Sequence, residues 1–177
     1  MMNFHPIENS SDTAKVVVPL LMEWYNPNSV LDLGCNVGWW LRVFSEFKGV
    51  HTLVGMDGYN MLQDSVIPIH WMIAHDLTKR INLNRKFSLV LCLEVAEHLD
   101  EQYADTLVDN CVYHSDTIFW SAASPGQGGF NHVNEQPMEY WIAKFDARGY
   151  GHRKLADVLP PLPHDYYRTN AIEFKKR

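Results

Sequence analysis

Val30-Leu31-Asp32-Leu33-Gly34-Cys35-Asn36-Val37-Gly38 is an apolar run that ends in an acid and two spaced glycines. Residues 30–33 have the near-continuous apolar character of a strand buried on both faces of a parallel sheet. Gly34 lets the chain turn sharply after that strand. Gly38 lets the next helix pack closely or lets backbone approach a ligand. A second run, Leu53-Val54-Gly55-Met56-Asp57, ends in another acid nineteen residues beyond Gly38. In a doubly wound sheet, a carboxylate at the end of the second strand is placed to accept hydrogen bonds from a ribose diol. Together the two runs point to a cradle for a nucleoside-containing cofactor.

Counted from Gly34 the turn reads Gly-x-Asn-x-Gly, which is not the dinucleotide fingerprint, and Asp32 stands two residues ahead of it. A carboxylate there disfavours a pyrophosphate and suits a ligand with a cationic amino-acid end. The pattern resembles the first motif of class I S-adenosylmethionine-dependent methyltransferases, Asp/Glu-x-Gly-x-Gly-x-Gly, with Asn36 in place of the middle glycine. That resemblance implies a Rossmann-like α/β fold, a mostly parallel doubly wound sheet with an antiparallel last strand. It also implies S-adenosylmethionine as cofactor and an acid after strand three, here Asp76, that holds the adenine amino group.

The rest of the chain alternates strand and helix signals, as a layered α/β architecture requires. Strands are expected at residues 30–33, 53–57, 70–74, 87–93, 117–123 and 170–175. Helices are expected at 14–25, 39–47, 99–114 and 138–148, with a short helical or irregular piece at 59–65. If the sheet is doubly wound, ligand contacts collect at the carboxyl ends of its strands. Polar residues interrupt the apolar pattern there: Asp32 and Gly34, Asp57, His75 and Asp76, and Glu94. The cofactor set is therefore Asp32, Gly34, Cys35, Asn36, Gly38, Asp57, His75, Asp76, Leu77 and Glu94.

Length and composition set outer limits. A chain of 177 residues, 46% hydrophobic and 20% charged, suits one substantial core rather than two ordinary domains. We expect a helical segment over 1–28, a cofactor-binding core over 29–123, and a lid loop, helix and terminal strands over 124–177. A formal net charge of -6 disfavours a phosphate-tracking protein. The basic cluster Lys175-Lys176-Arg177 reads as a solvated tail. Cys35, Cys92 and Cys111 have no paired-ligand spacing and read as small buried thiols, which suits a reducing, cytoplasmic setting. No secretory signal or membrane-length apolar run is visible.

The most specific chemistry lies after the fourth strand, in Leu93-Glu94-Val95-Ala96-Glu97-His98-Leu99. Glu94, Glu97 and His98 are spaced i, i+3 and i+4, which on a helical turn puts all three on one face. Two carboxylates and an imidazole suit a divalent cation. Oxygen-rich ligands favour Mg2+ or Mn2+, while the histidines also allow Fe2+, Co2+ or Zn2+. His132, in the glycine-rich loop after strand five, can fold over as a fourth ligand, and without metal it is the best general base.

Glu-x-x-Glu-His after strand four resembles the ubiquinone-biosynthesis O-methyltransferases and the small-RNA 3′-terminal 2′-O-methyltransferases, the latter with a later histidine. By that resemblance Glu94, Glu97, His98 and His132 hold a metal that grips two adjacent hydroxyls, and Glu97, His98 and His132 serve the reacting one. Many class I methyltransferases carry Glu-His-Leu here without metal, the histidine then being structural or a proton acceptor.

Residues 125–137 are dense in side chains that bind polyols, and their glycines permit a lid. With Tyr140-Trp141, Gly149-Tyr150 and residues 166–170, this segment resembles stand-alone methyltransferase domains found with glycan-modifying enzymes. The expected activity is O-methylation of a sugar, glycan or other vicinal-diol acceptor. An RNA 3′-terminal ribose and a non-catalytic cofactor-binding role are the alternatives. In Tyr140, Trp141 and Phe145 the spacing of a helix face predicts core packing, and Asn134 reads as a helix cap.

Overall fold

The computed structural model describes residues 10–58 and 64–177. The piece expected at 59–65 lies mostly outside them. β1 (Ser29–Leu33) and β4 (Leu89–Leu93) are buried at every residue, as their apolar runs require of central strands. They pair in parallel with each other. β2 (Thr52–Asp57) and then β3 (Met72–Ala74) extend the sheet in parallel beyond β1. β5 (Thr117–Ser121) extends it in parallel beyond β4.

Side chains alternate between the two faces, so each strand feeds two separate cores. Leu31, Leu33, Val90, Cys92, Ile118 and Trp120 join a core with α3 (Ala104–His114) and α4 (Met138–Asp146). Val30, Leu89, Leu91, Leu93 and Phe119 join another with α1 (Ser11–Tyr25) and α2 (Trp39–Phe44). The sheet is thus doubly wound, and strand order reverses between β1 and β4. A ligand crevice forms at their carboxyl ends.

The sheet ends antiparallel, and by two strands rather than one. β7 (Ile172–Lys176) pairs antiparallel with β5, and β6 (Tyr150–Lys154) pairs antiparallel with β7, giving the order β3-β2-β1-β4-β5-β7-β6. β6 escapes a pattern reading because Tyr-Gly-His-Arg-Lys has no second apolar residue to alternate with Tyr150. It is an exposed, charged edge strand.

The basic C-terminal cluster is not a free tail. Lys175 and Lys176 belong to β7 and pair with Glu173 at 3.5 Å and Asp116 at 3.9 Å, while Arg177 pairs with Asp146. α5 (Tyr166–Thr169) precedes β7 and seats Tyr167 against Trp40, ring centroids 5.5 Å apart. All three cysteines are free and buried. Among the described residues no helix is long and apolar enough to cross a membrane.

Aromatic packing closes the α3/α4 core. Phe145 has no exposed surface, stacks on Phe174 at 3.8 Å and meets Trp120 edge-on at 5.3 Å. Phe145→Ala is expected to cost about 3–5 kcal/mol in denaturant unfolding through lost burial and a cavity. A loss below about 1 kcal/mol would show that the stack carries little of the core.

Candidate active site

The carboxyl ends of β1, β2 and β3 gather the first group. Asp32 is buried, and its Oδ2 has no hydrogen-bond partner. Burial first, and the nearby Asp57 charge second, push its carboxyl up to about 8. The chain then turns at Gly34, φ 81°, and the N–H groups of Gly34 and Cys35 donate to the Met56 carbonyl at 2.7 and 3.2 Å. A Cβ at Gly34 would lie 2.3 Å from Val95 Cγ2. The glycine therefore lets the loop after β4 close onto the turn.

Asn36 holds a left-handed φ of 49°, a conformation asparagine tolerates. Its N–H donates to Asp57 Oδ2 at 2.9 Å, while its own Oδ1 is buried without a partner. Gly38 leads into α2 at φ 95°. His75 donates its N–H to the Asp57 carbonyl at 2.9 Å, and its Nε2 is buried without a partner. Of the two tryptophans that follow Gly38, Trp40 is core, whereas Trp39 keeps its Nε1 buried and unpartnered.

Three residues of the expected set have visible structural duties. Cys35 is buried, and its thiol is pushed well up by burial, then by Asp32 and Asp57, so it packs as a neutral group. Leu77 belongs to the α3/α4 core. Asp76 is exposed and accepts hydrogen bonds from the Thr78 N–H at 2.9 Å and hydroxyl at 2.6 Å, which pull its carboxyl down. It caps the turn after β3.

The second group follows β4. Glu94 adopts φ 53°, and the segment that follows directly is a 3₁₀ turn, Ala96–His98. The one-face helical turn is therefore not formed. The Glu94 carboxylate accepts hydrogen bonds from Gln127 Nε2 at 3.0 Å and Asn170 Nδ2 at 3.3 Å. Glu97 turns inward with no exposed surface, and neither of its carboxylate oxygens has a hydrogen-bond partner. Burial, and next the charge of Glu94, push its carboxyl up to about 9.

Backbone pairing delivers the last member. The N–H groups of Val133 and Asn134 donate to the Glu97 carbonyl at 2.8 and 3.1 Å, and Asn134 Nδ2 reaches the Ala96 carbonyl at 3.4 Å. Asn134 thus staples the loop; Pro137, not Asn134, stands at the N-cap of α4. His132 is carried against His98, ring centroids 5.0 Å apart and nearly perpendicular. Glu97, His98 and His132 each offer one ligand atom, all within 4.8 Å of one another, and Glu94 stands outside that group. Sequence reasoning missed Gln127, Asn170 and, as a partner of His132, Glu135, which accepts from His132 Nδ1 at 2.8 Å. An acid three residues after a loop histidine was the one available signal.

A family model described as a methyltransferase domain matches residues 13–108, more than half of the chain. The chain belongs to this family. The fold agrees. The methyltransferase domain of a bacterial Hen1 is 18% identical, covers 95% of this chain and 99% of its own, and superposes with a TM-score of 0.71. A sugar N-methyltransferase from a Streptoalloteichus species is 16% identical over 96% of this chain and 89% of its own, TM-score 0.72. The magnesium protoporphyrin IX methyltransferase of Synechocystis, solved with bound S-adenosylmethionine, is 15% identical over 99% of this chain and 87% of its own, TM-score 0.66. No curated protein matches the sequence.

The residues present fit S-adenosylmethionine. Asp32 Oδ2, Asn36 Oδ1, His75 Nε2 and Trp39 Nε1 are all orphaned at or beside one sheet edge. Each such group costs about 1–3 kcal/mol when nothing satisfies it. A ligand with a cationic end, a diol and a heterocycle offers what these atoms need. The methyltransferase is built around an S-adenosylmethionine crevice.

Proposed function

We propose that this methyltransferase acts on a hydroxyl oxygen of a sugar, glycan or other vicinal-diol acceptor, with a divalent cation held by Glu97, His98 and His132. One carboxylate and two imidazoles suit Mn2+ better than Mg2+. One observation carries the reading: a buried, unpartnered carboxylate and two imidazoles converge beside the cofactor edge. A six-coordinate cation on three protein ligands would have room for two acceptor oxygens. Glu94 serves this group at one remove, by holding Gln127 and Asn170 and by its charge on Glu97.

The division of labour follows from position. Asp32 meets the cationic amino-acid end, Asp57 the ribose diol, and His75 with Asp76 and Leu77 the adenine. Asn36, Gly38 and the buried Cys35 shape the turn between them. S-adenosylmethionine, when bound, supplies an electrophilic methyl group on a sulfonium. A divalent cation would supply Lewis acidity toward an acceptor hydroxyl. Without a cation His132 is the group that takes the hydroxyl proton, with Glu97 and His98 orienting the acceptor. As a cation ligand its ring lone pair is engaged, and the acidified hydroxyl would give its proton to water.

The same two-hydroxyl chemistry fits a ribose at an RNA 3′ end, and the fold's likeness to the Hen1 domain favours testing it. The net charge of -6 weighs against it, because nucleic-acid affinity rests largely on cationic contacts. A panel of glycans, small diols, amino sugars and 3′-terminal RNAs, assayed for S-adenosylhomocysteine release, decides. Transfer to a diol that stops with EDTA and returns with Mn2+ or Mg2+ supports the proposal. Transfer to an amine that is indifferent to EDTA overturns it.

A further inference from the structure

Glu135 lies two residues before the Pro137 N-cap of α4 and turns back from that helix. Its carboxylate gathers three donors from the glycine loop. Oε2 accepts from the Gly126 N–H at 2.7 Å. Oε1 accepts from the Gly128 N–H at 2.7 Å and from His132 Nδ1 at 2.8 Å. Gly126 and Gly128 both have left-handed φ, 86° and 69°. The loop thus curls around this one carboxylate, whose side chain is 18% exposed beside a His132 ring 11% exposed.

A carboxylate is an acceptor only, so the nitrogen facing it must carry the proton. Nδ1 of His132 is therefore N–H, and in the neutral form of the ring the lone pair is on Nε2. The other side of the ring is fitted to that arrangement. A Cβ on Gly129 would lie 2.3 Å from Nε2, 2.5 Å from Cε1 and 2.8 Å from Cδ2, so residue 129 must lack a side chain for the His132 ring to sit where it does. His98 meets the ring edge-on.

We propose that Glu135 is the positioning residue of the site, one carboxylate that both folds the glycine loop and fixes the Nδ1–H tautomer of His132, presenting Nε2 to metal or acceptor. This rests on the reading that His132 serves the acceptor, and it adds how the loop and the histidine are coupled. When the loop is folded the histidine is in its working tautomer; when Gly126 and Gly128 leave Glu135, the constraint on the ring goes with them.

Nitrogen-15 NMR of the histidine ring, recorded on the whole metal-free chain with a His132→Gln spectrum for assignment, tests it. The wild type is expected to show His132 with a protonated Nδ1 and a free Nε2. A wild-type neutral ring with its proton on Nε2 and a bare Nδ1 overturns the proposal without any variant having to fold. In Glu135→Gln the amide cannot accept from all three donors, because one of its two heads is itself a donor. The tautomer signature is expected to be lost, Mn2+ affinity and kcat to fall about 10–100-fold, and the KM for S-adenosylmethionine to stay put.

Glu135→Asp, one methylene shorter but still acceptor-only, is expected to keep the Nδ1–H signature and recover part of kcat. A Gln variant that loses kcat yet keeps the wild-type tautomer assigns Glu135 to loop stability alone and overturns the proposal. Failure of the diol reading looks different. It would appear as unchanged transfer in His132→Ala, with the NMR result standing.

Discussion

Replacing His132 with alanine is expected to lower kcat for methyl transfer by about 10²–10⁴-fold, the usual share of a positioned acid–base group. Affinity for S-adenosylmethionine, read by calorimetry, should hold. The reason is spatial. Asp32, Asn36, Asp57 and His75 stand on the β1–β3 side of the crevice, where Asn36 and His75 donate to Asp57 and Asp32 feels its charge. His132 is pinned from the other side, by the Glu97 carbonyl through its loop neighbours and by Glu135. Removing the imidazole also removes one of three converging ligand atoms, so Mn2+ binding should weaken in the same variant. Undiminished turnover would take His132 out of the reaction. Lost cofactor affinity would show that the two sides are one site.

The fold was legible because burial writes itself into the strands. Val30 to Leu33, Asp32 apart, and Leu89 to Leu93 are apolar and central, and the acids that break the pattern stand at the crevice. β6 was not legible, since an exposed edge strand with one buried residue has no pattern to read. The metal-ligating set was half legible. Spacing placed Glu94, Glu97 and His98 on one helical face, yet the left-handed residue at 94 turns its carboxylate to Gln127 and Asn170. Local spacing cannot report a φ that long-range hydrogen bonds select. His132 was legible as a loop histidine beside the crevice. Glu135 was not, because an acid that folds a loop around itself looks in sequence like any helix-flanking acid.

Asp32 carries the electrostatic stake on the cofactor side. Its carboxyl titrates near 8 when the site holds only protein, because burial and then Asp57 disfavour the charge. The folded state therefore keeps a proton that the unfolded chain gives up near the ordinary value of 3.8. This preference stabilises the fold fully below that value and is lost as pH rises through about 8. The slope approaches 1.4 kcal/mol per pH unit between the two limits, roughly the linkage of one proton. Asp32→Asn removes the titration, so its stability should be flatter with pH than that of the wild type, gaining on it as the solution becomes alkaline.

Binding moves the other way. A cationic amino-acid end favours the ionised carboxylate, so the cofactor must expel the proton below pH 8. Wild-type affinity should rise about tenfold per pH unit there, with about one proton released to buffer per ligand bound in calorimetry, and fall again above about 8, where the ligand's own α-ammonium gives up its charge. Asn keeps the shape and forfeits the charge, and an unmatched buried charge costs about 2–5 kcal/mol, or roughly 30-fold to several-thousand-fold in Kd. An affinity flat from about pH 6 to 8 with no proton release would mean that Asp32 does not face the cation. A variant that binds as tightly as wild type would mean the acid serves the turn between β1 and α2 and nothing more.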